Sequence, residues 1–432
     1  MGDFMSVLAL GEQTIASPLR GIEFVDPSER ILVDANWAHV QASLAQEKTP
    51  ATYDVAGPRS SIYFDPLKVK AAIVSCGGLC PGINDVIRAI YMALKHGYGV
   101  NEIYGLHYGY QGLNPAFGHE PDFLEADEVD DIHQQGGSVL SSSRGPQPVD
   151  VMAQFLFDHG FNMLFTIGGD GTQRGALELT QEIQRRGLPI SVIGIPKSID
   201  NDLSCIQRTF GFSTAVSAAS TAIQAAHNEA KGAPNGIGIV KLMGRHSGFI
   251  AAGATLAYSE VNCTLVPEVR FELDGPDSLI EYVAKRLHRR KHCVIVVAEG
   301  AGQYLFDQDD NGCDASGNTK LDDIGIYLKS CLAAGLKERG MDCSLKYIDP
   351  SYTIRGIPAT ADDSIYCLEL GQNAVHAAMA GYTGMLVGYW HNTFTHVPLE
   401  LATGSRKVLD VNGPLWQAVL QSTGQPDWPA AT

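Results

Sequence analysis

From about residue 68 onward, apolar runs alternate with glycine-containing turns and amphipathic segments. The first repeat is an apolar run at 69–75, a turn, and a segment in which Val86, Ile90 and Leu94 recur at helical spacing, which we expect to end at Gly97. Repeats of this kind are typical of parallel β-strands joined by crossover helices. The pattern therefore predicts an α/β fold with largely parallel sheets.

The rest of the chain continues this alternation, and strands are predicted at 163–167, 190–195, 237–241, 293–298 and 385–389, with helices at 213–230, 277–290, 324–337 and 362–380. We expect Thr172 to cap the helix after the first of these strands. Residues 1–67 have no sustained period and contain Pro18, Pro27 and Pro50, which predicts an arm lying against the body or a partner subunit. In open α/β sheets ligands bind at the carboxyl ends of strands, so the motifs that follow strands carry the candidate chemistry.

Composition and charge narrow the functional classes. The 432 residues include 48 Asp+Glu and 31 Lys+Arg, a formal net charge of −17, which excludes binding to nucleic acid or an anionic membrane through bulk electrostatics. The nine cysteines are an odd number spread along the chain, and we interpret them as reduced thiols. No basic and apolar leader opens the sequence and no apolar run reaches about 18 residues. We therefore expect a soluble, cytoplasmic protein without a membrane partner.

The loop Gly168–Thr172, with the sequence GGDGT, follows a predicted strand and precedes a predicted helix. Glycines let the backbone approach a bulky anion and the helix N-terminus supplies free N–H groups, so phosphate is the expected guest. A carboxylate in such a loop would repel phosphate unless a cation lay between them, and we interpret Asp170 as a Mg²⁺ ligand. The alternative is a tight turn with a solvated aspartate. A dinucleotide fingerprint is disfavoured because Gly175 comes one position late.

The segment Lys197–Asp202, with the sequence KSIDND, places a cation, a hydroxyl and two carboxylates at the end of another strand. If the segment is extended, Ser198, Asp200 and Asp202 share one face. One carboxylate could then take a proton from a sugar hydroxyl and the other could hold metal, while the lysine stabilises a transferring phosphoryl group. The alternative is a loop that caps the next element.

A second set of polar residues suits a sugar phosphate: Met243–Arg245, Glu299 and Tyr352–Arg355. The arginines could bind phosphate bidentately and the carboxylate could bind hydroxyls. Taken singly, each is more often part of an ordinary surface ion pair. The histidines show no zinc-ligand spacing, so a zinc hydrolase is not indicated.

Seven motifs in order along the chain resemble those of the 6-phosphofructokinases: GGLCPGIN at 77–84, SSSRGPQ at 141–147, IGGDGTQRGA at 167–176, PKSIDND at 196–202, KLMGRHSGF at 241–249, AEGAGQ at 298–303 and PSYTIRG at 350–356. The resemblance covers roughly residues 68–425. It is most similar to the long ATP-using branch that is related to the pyrophosphate-dependent enzymes. An ordered set of motifs is far more specific than any one of them.

The resemblance implies a role for each matching residue. It implies nucleotide binding by Gly78, Arg144, Gly145, Gly169, Asp170, Gly171 and Thr172, and metal binding by Asp170 and Asp202, with Mg²⁺ as the cofactor. It implies catalysis by Asp200, Lys197 and Ser198, with Asp200 as the base that deprotonates the sugar 1-hydroxyl. It implies binding of fructose 6-phosphate by Ser198, Ile199, Asp200, Met243, Gly244, Arg245, Glu299, Tyr352, Thr353, Ile354 and Arg355.

Two positions bear on the phosphoryl donor. Pyrophosphate users typically carry Asp where this chain has Gly171, and an acid there would crowd and repel the α-phosphate of ATP. Lys197 is similar to the pyrophosphate branch, but ATP-using members of the long branch also keep it, so we favour ATP. Gly236, Tyr352 and Lys346 depart from the short bacterial pattern, which puts transfer of its inter-subunit contacts and effector sites in doubt.

The sequence thus predicts two Rossmann-like α/β/α domains with the active site in the cleft between them. The expected parts are an arm at 1–67, a nucleotide domain at 68–211 to which 354–400 returns, a sugar-phosphate domain at 212–353 and an extension at 401–432. The expected reaction is transfer of the γ-phosphoryl group of MgATP to the 1-hydroxyl of fructose 6-phosphate by a homodimer or homotetramer. The alternatives are a pyrophosphate-dependent enzyme on the same fold and, less favoured, a lipid or NAD kinase or a non-catalytic regulatory subunit.

Overall fold

The computed structural model describes residues 7–306, 312 and 320–431, which form two compact units. Unit 1 comprises the described residues up to Ser198 together with Leu203–Gly211 and Ile357–Arg406. Unit 2 comprises Ile199–Asp202, the described part of Phe212–Gly356, and the described residues from Lys407 onward. The chain thus first enters unit 2 for the four residues Ile199–Asp202, returns to unit 1, and enters unit 2 again at Phe212 and at Lys407.

The strands, numbered along the chain, are β1 (Leu8–Ala9), β2 (Ile15–Ala16), β3 (Arg30–Leu32), β4 (Thr52–Val55), β5 (Ser61–Ile62), β6 (Lys70–Ser75), β7 (Glu102–Leu106), β8 (Asp122–Phe123), β9 (Met163–Gly168), β10 (Ser191–Pro196), β11 (Gly236–Leu242), β12 (Cys263–Leu265), β13 (His292–Ala298), β14 (Ser344–Ile348), β15 (Tyr382–Thr383), β16 (Met385–Trp390) and β17 (Thr393–Pro398).

The α-helices are α1 (Trp37–Ala45), α2 (Ile83–Met92), α3 (Ala126–Val129), α4 (Val149–Asp158), α5 (Asp170–Arg185), α6 (Phe212–Gly232), α7 (Phe249–Ala257), α8 (Leu279–Arg290), α9 (Ile324–Glu338), α10 (Ser351–Arg355), α11 (Ala361–Met379), α12 (Leu399–Ala402) and α13 (Pro414–Thr423). Short 3₁₀ turns lie at 66–68, 109–113, 115–117, 132–134 and 303–305.

Unit 1 is built around a nine-stranded sheet with the order β3-β4-β17-β16-β10-β9-β6-β7-β8. The strands from β16 to β7 run parallel, and the pairings at both edges are antiparallel. Every residue of β9 and β10 is buried, because both faces of the central strands are covered. Continuous burial explains why these strands read in the sequence as unbroken apolar runs.

The region predicted as an arm supplies several strands of unit 1. β3 and β4 extend the large sheet beyond β17, and β1 and β2 form small antiparallel pairs with β15 and β5. Tyr53 of β4 is 1% exposed and belongs to the unit 1 core. The sequence did not predict these strands because segments of two to four residues are too short to show a period of two.

Unit 2 contains a four-stranded parallel sheet with the order β12-β13-β11-β14. Its core is formed by these strands, by the apolar faces of α6, α7, α8 and α9, and by residues after 407 such as Leu409, Trp416 and Val419. The alanine-rich face of α6 packs in this core, as Ala219, Ala226 and their neighbours are buried. The last residues of the chain are therefore part of unit 2.

Two local predictions were wrong. Gly97 does not end α2, because a π-helical turn at Ala93–Tyr98 continues from it and Gly99 ends that turn with a left-handed φ of 77°. Thr172 is not a helix cap: α5 begins at Asp170, Gly169 is the N-cap, and Thr172 lies inside the first turn.

The described helices include none that combines the length and the apolar character needed to cross a membrane. Eight cysteines are described and no disulfide joins them; the ninth, Cys313, lies outside the described residues.

Candidate functional site

The order of the parallel strands in unit 1 defines a switch point between β6 and β9. From β6 the chain moves to β7 on one side, while β9, β10 and β16 lie on the other side. At such points the loops after the two central strands diverge and leave room for a ligand. Ser75 and Ile167 are paired near the carboxyl ends of β6 and β9, so the GGLCPG and GGDGT motifs leave the sheet side by side.

The loop after β6 is joined to the SSSRG motif by hydrogen bonds. The Gly77 N–H donates to Ser143 O at 3.0 Å, and Ser142 Oγ donates to Gly77 O at 2.6 Å. Gly77 and Gly145 have left-handed φ values of 85° and 98°, which residues with a Cβ rarely adopt. The structure therefore brings Gly78, Arg144 and Gly145 to neighbouring loops of unit 1, and Arg144 is exposed.

The three glycines of the GGDGT motif differ in whether the structure leaves room for a side chain at their position. A Cβ at Gly168 would lie 2.2 Å from Thr172 Oγ1, and one at Gly169 would lie 3.3 Å from Lys197 O. A Cβ at Gly171 would meet no atom of the described residues within 4 Å. Gly168 is thus required by the fold, whereas the described structure gives no steric reason for glycine at 171.

Asp170 is the first residue of α5, where a carboxylate is favoured by the helix dipole. Its Oδ2 lies 3.2 Å from Arg174 and 3.3 Å from Arg406, and its side chain is 13% exposed. Proteins usually hold Mg²⁺ through one or two carboxylates together with phosphate and water. The described ranges contain no cluster of three potential metal ligands. Asp170 therefore fits Mg²⁺ as a protein ligand in a site completed by phosphate oxygens and water.

Lys197 follows β10 in unit 1 and is 6% exposed. Its Nζ donates to Gly78 O at 2.7 Å, and its backbone N–H donates to Gly168 O at 3.0 Å. One residue thus ties together the loops that carry Gly78 and the GGDGT motif. Ser198 is held through its carbonyl oxygen, which accepts from Thr209 Oγ1 at 2.5 Å.

The segment that carries Asp200 and Asp202 is a turn rather than an extended strand. Ile199 and Asp200 form the turn, and Asn201 has a left-handed φ of 55°. The predicted extended conformation, on which the shared face of Ser198, Asp200 and Asp202 depended, was therefore wrong. Asparagine is one of the few residue types that enter this region readily.

The carboxyl group of Asp200 lies in an apolar and electronegative environment within unit 2. Asp200 is half-buried as a residue, but its Oδ1 is inaccessible to solvent and has no hydrogen-bond partner among the described residues. Burial, followed by the charges of Asp202 and Glu299, raises the pKa of Asp200 to about 8, against the lowering effect of Arg245. The Arg245 N–H is hydrogen-bonded to this carboxyl group. A carboxylate of this kind is a stronger base than one in water.

The loops that carry Arg245 and Glu299 follow two paired strands of unit 2. Leu242 of β11 is opposite Ala298 of β13, and the Glu299 N–H donates to Leu242 O at 2.9 Å. A Cβ at Gly300 would lie 1.9 Å from Arg245 O, so this approach requires glycine. Burial raises the pKa of Glu299, while the nearby charge of Arg245 opposes that rise. Among the other predicted substrate residues here, Met243 is buried and Gly244 has a φ of 123°.

The predicted substrate residues Tyr352–Arg355 form α10 in unit 2. Tyr352 is 79% exposed, and the Arg355 guanidinium carbon lies 4.6 Å from its ring centroid. Arg355 is also close enough to Glu299 to lower the pKa of that group. Thr353 is exposed, whereas the side chain of Ile354 is buried in the unit 2 core, so only its backbone is available to a ligand.

Three residues at these loops were missed by the sequence analysis. Gln173 is buried, and its Nε2 donates to Gly168 O at 2.9 Å and to Ile195 O at 3.1 Å, at the ends of β9 and β10. Arg406 pairs with Asp170, and Lys407 contacts the turn that follows Asp200. The glutamine lies inside a quoted motif, but the sequence around 406 has no pattern that would have pointed to it.

Polar loops at the carboxyl ends of parallel strands lie where α/β proteins usually bind their ligands. Residues 70–378 match the model of the phosphofructokinase family, and the chain belongs to that family. The predicted resemblance and the predicted α/β fold class are thus confirmed.

Similar proteins cover nearly the full chain. The chain is 46% identical over 429 residues to the ATP-dependent 6-phosphofructokinase of Borreliella burgdorferi, and the aligned region covers 97% of this chain and 96% of the relative. It is 48% identical over 378 residues to that of Trypanosoma brucei brucei, over 87% of this chain and 77% of the relative. Among solved structures, a pyrophosphate-dependent phosphofructokinase from Marinobacter aquaeolei gives a TM-score of 0.68 at 20% identity, over 82% of this chain and 91% of that one. This last likeness concerns the fold alone.

Proposed function

We propose that this protein is an ATP-dependent 6-phosphofructokinase. It transfers the γ-phosphoryl group of ATP to the 1-hydroxyl of fructose 6-phosphate and releases ADP and fructose 1,6-bisphosphate. The observation that carries the proposal is the 46% identity, over 97% of the chain, to a relative with that name. The side chains described in the two units agree with this reaction.

In unit 1, the loops at the switch point bind the nucleotide. Gly78, Arg144, Gly145 and the residues Gly169–Thr172 surround the phosphates, where the first turn of α5 offers free N–H groups. Lys197 fixes the positions of these loops through its bond to Gly78 O and adds a positive charge close to them. Mg²⁺ held by Asp170 would neutralise charge on the phosphates, and Asp202 of unit 2 stays a predicted ligand of the ion. The residues of unit 1 therefore supply orientation and charge neutralisation, which dominate phosphoryl transfer.

In unit 2, Asp200 accepts the proton of the sugar 1-hydroxyl as that oxygen bonds to the γ-phosphorus and the bond from phosphorus to the ADP oxygen breaks. Only the ionised carboxylate can accept this proton. The Arg245 N–H is hydrogen-bonded to the carboxyl group, and the Oδ1 atom has no hydrogen-bond partner among the described residues. Arg245 and Arg355 bind the 6-phosphate, and Glu299 accepts from sugar hydroxyls. Ser198, Ile199, Met243, Gly244 and the exposed residues of α10 complete the proposed substrate contacts.

The choice of ATP over pyrophosphate rests on Gly171. Since no described atom lies within 4 Å of a Cβ built there, its lack of a side chain is explained by a ligand that needs the space. A nucleotide requires that room for its α-phosphate, whereas pyrophosphate does not. We also propose that the enzyme is cytoplasmic, which fits the lack of disulfides among its described cysteines, and that it forms a homodimer or homotetramer.

The proposal is tested with the purified full-length chain and fructose 6-phosphate, using MgATP or magnesium pyrophosphate as the sole donor. Formation of fructose 1,6-bisphosphate is followed through aldolase and a reduced nicotinamide dinucleotide. We expect kcat/KM for ATP to exceed that for pyrophosphate by at least a hundredfold. Faster turnover with pyrophosphate would assign the alternative activity, and no turnover with either donor would contradict both.

A further inference from the structure

The segment that begins at Lys407 belongs to unit 2 and lies beyond residue 378, where the match to the family model ends. Its first residues run beside the turn that carries the proposed base. Lys407 donates its backbone N–H to Asp202 O at 2.9 Å and its Nζ to Asn201 Oδ1 at 3.0 Å. One lysine therefore holds both a side chain and a carbonyl group of two consecutive residues in that turn.

Lys407 is itself held in place from two directions. Its Nζ lies 5.2 Å from the ring centroid of Phe249, the first residue of α7. Two residues later, the Leu409 N–H donates to Glu268 Oε1 at 2.8 Å, and the same oxygen accepts from the Gly248 N–H at 3.0 Å. The segment is thus fixed to the loop that contains Arg245, and Leu409 is buried in the unit 2 core.

The residue that Lys407 holds has an unusual backbone conformation. Asn201 is 7% exposed and has a φ of 55°, a left-handed conformation that is uncommon outside glycine and that asparagine tolerates better than most residues. Asn201 directly follows Asp200, so its φ and ψ angles determine the path of the chain between Asp200 and Asp202. The Asp200 carbonyl, in the peptide that joins it to Asn201, accepts a hydrogen bond from Ser247 Oγ at 3.2 Å.

We propose that Lys407 is a positioning residue for phosphoryl transfer, which holds Asn201 and Asp202 in the turn that presents the Asp200 carboxylate. This inference rests on the proposed function, since it concerns the same proton transfer. Its effect is exerted through Asn201 and not through contact with substrate. A misplacement of about 1 Å in a catalytic group can lower the rate by roughly a hundredfold. Loss of Lys407 should therefore lower kcat while substrate binding is largely kept.

The test compares Lys407→Met, Lys407→Arg, Asn201→Gly and the double variant of Met at 407 with Gly at 201. We expect Lys407→Met to lower kcat by roughly 10–100-fold with KM for fructose 6-phosphate changed by less than about threefold. Lys407→Arg, which can still donate to Asn201 Oδ1, should recover most of that loss. Glycine at 201 accepts the left-handed φ but offers Lys407 no side-chain acceptor. The fold-loss of kcat in the double variant should therefore be far smaller than the product of the two single fold-losses.

Lys285→Met is the matched control, because Lys285 lies on α8 of the same unit with a side chain that is 60% exposed. It should leave both kinetic constants at wild-type values. Thermal unfolding of each variant checks that the protein is folded, and Lys407→Leu replaces Lys407→Met if the latter is not folded. A kcat within threefold of wild type in the variant without Lys407, or losses that multiply in the double variant, would overturn the inference. A wild-type chain inactive with both donors would overturn this inference together with the proposed function.

Discussion

The substitution Gly171→Asp separates the needs of the fold from those of the nucleotide. Gly171 is the second residue of α5, and a side chain built there meets no described atom within 4 Å. Its φ is not in the left-handed region, so an L-residue fits without strain. Replacing a helical glycine by aspartate gains about 0.3 kcal/mol, because aspartate is also a weak helix former, and an acid in the first turn adds about 0.3–1 kcal/mol. Repulsion from Asp170 offsets part of this gain, and we expect Tm to stay the same or rise slightly.

The same change should strongly lower kcat/KM for ATP. A carboxylate about 5 Å from a phosphate charge, with an effective dielectric constant of about 20, costs about 3 kcal/mol. A loss of that size lowers kcat/KM for ATP by roughly a hundredfold. The variant should thus be at least as stable as wild type and much less active with ATP. Opposite effects on stability and activity would not follow from general damage to the fold.

The assay measures kcat/KM for ATP at saturating fructose 6-phosphate, together with thermal unfolding, for wild type, Gly171→Asp and Gly171→Asn. Asparagine has nearly the volume of aspartate without its charge, so the difference between the two variants gives the electrostatic part of the loss. A variant with aspartate at 171 that keeps kcat/KM for ATP within threefold of wild type would refute the placement of nucleotide at this loop.

Three further predictions concern other parts of the chain. Asp200→Asn should lower kcat by roughly 10²–10⁴-fold and leave KM for fructose 6-phosphate within a few-fold, because the amide cannot accept the proton; steady-state kinetics test this, and a near-normal kcat would remove Asp200 from its role. Arg245→Met should raise KM for fructose 6-phosphate by roughly 10–100-fold through loss of a charge-assisted contact, and equal KM values would exclude the contact. Burial lowers the pKa of His396 in β17 to about 3, below the ordinary value of about 6.5, so the unfolded chain binds this proton first as pH falls. The contribution of His396 to the free energy of unfolding is therefore fully present above about pH 6.5, and the free energy of unfolding falls by about 3 kcal/mol by pH 4. Urea unfolding of wild type and His396→Phe should show a shallower pH dependence in the variant, and identical slopes would contradict this.

Much of the parallel framework could be predicted from the sequence, because central strands such as β9 and β10 are buried on both faces and appear as continuous apolar runs. Strands β3 and β4 could not, since they are short and the pairing of β4 with distant β17 leaves no local signal. The motifs also predicted which loops at the strand ends carry the candidate site residues. The turn at Asn201 was missed because its left-handed φ is tolerated by asparagine but not required by it.

The remaining features of the site depend on contacts between residues far apart in the sequence. Arg406 reaches Asp170 across 236 positions and Lys407 reaches Asn201 across 206. No periodicity or motif marks such pairs, because each is created only when the chain has folded. The same holds for the unpaired Oδ1 of Asp200, whose environment includes Glu299 from another strand end. Sequence patterns thus identified the chemical groups, and the fold determined their surroundings.

The most direct test of the central claim follows the phosphoryl group itself. Wild type and Asp200→Asn are mixed with fructose 6-phosphate and ATP labelled in the γ-phosphate, quenched on the millisecond scale, and the sugar product is identified by ³¹P NMR. The account predicts that wild type moves the label to the 1-position of fructose 1,6-bisphosphate within one turnover, and that the variant binds both substrates but transfers the label orders of magnitude more slowly. Label that stays on ATP in the wild-type reaction, or equal transfer rates in the two proteins, would contradict it.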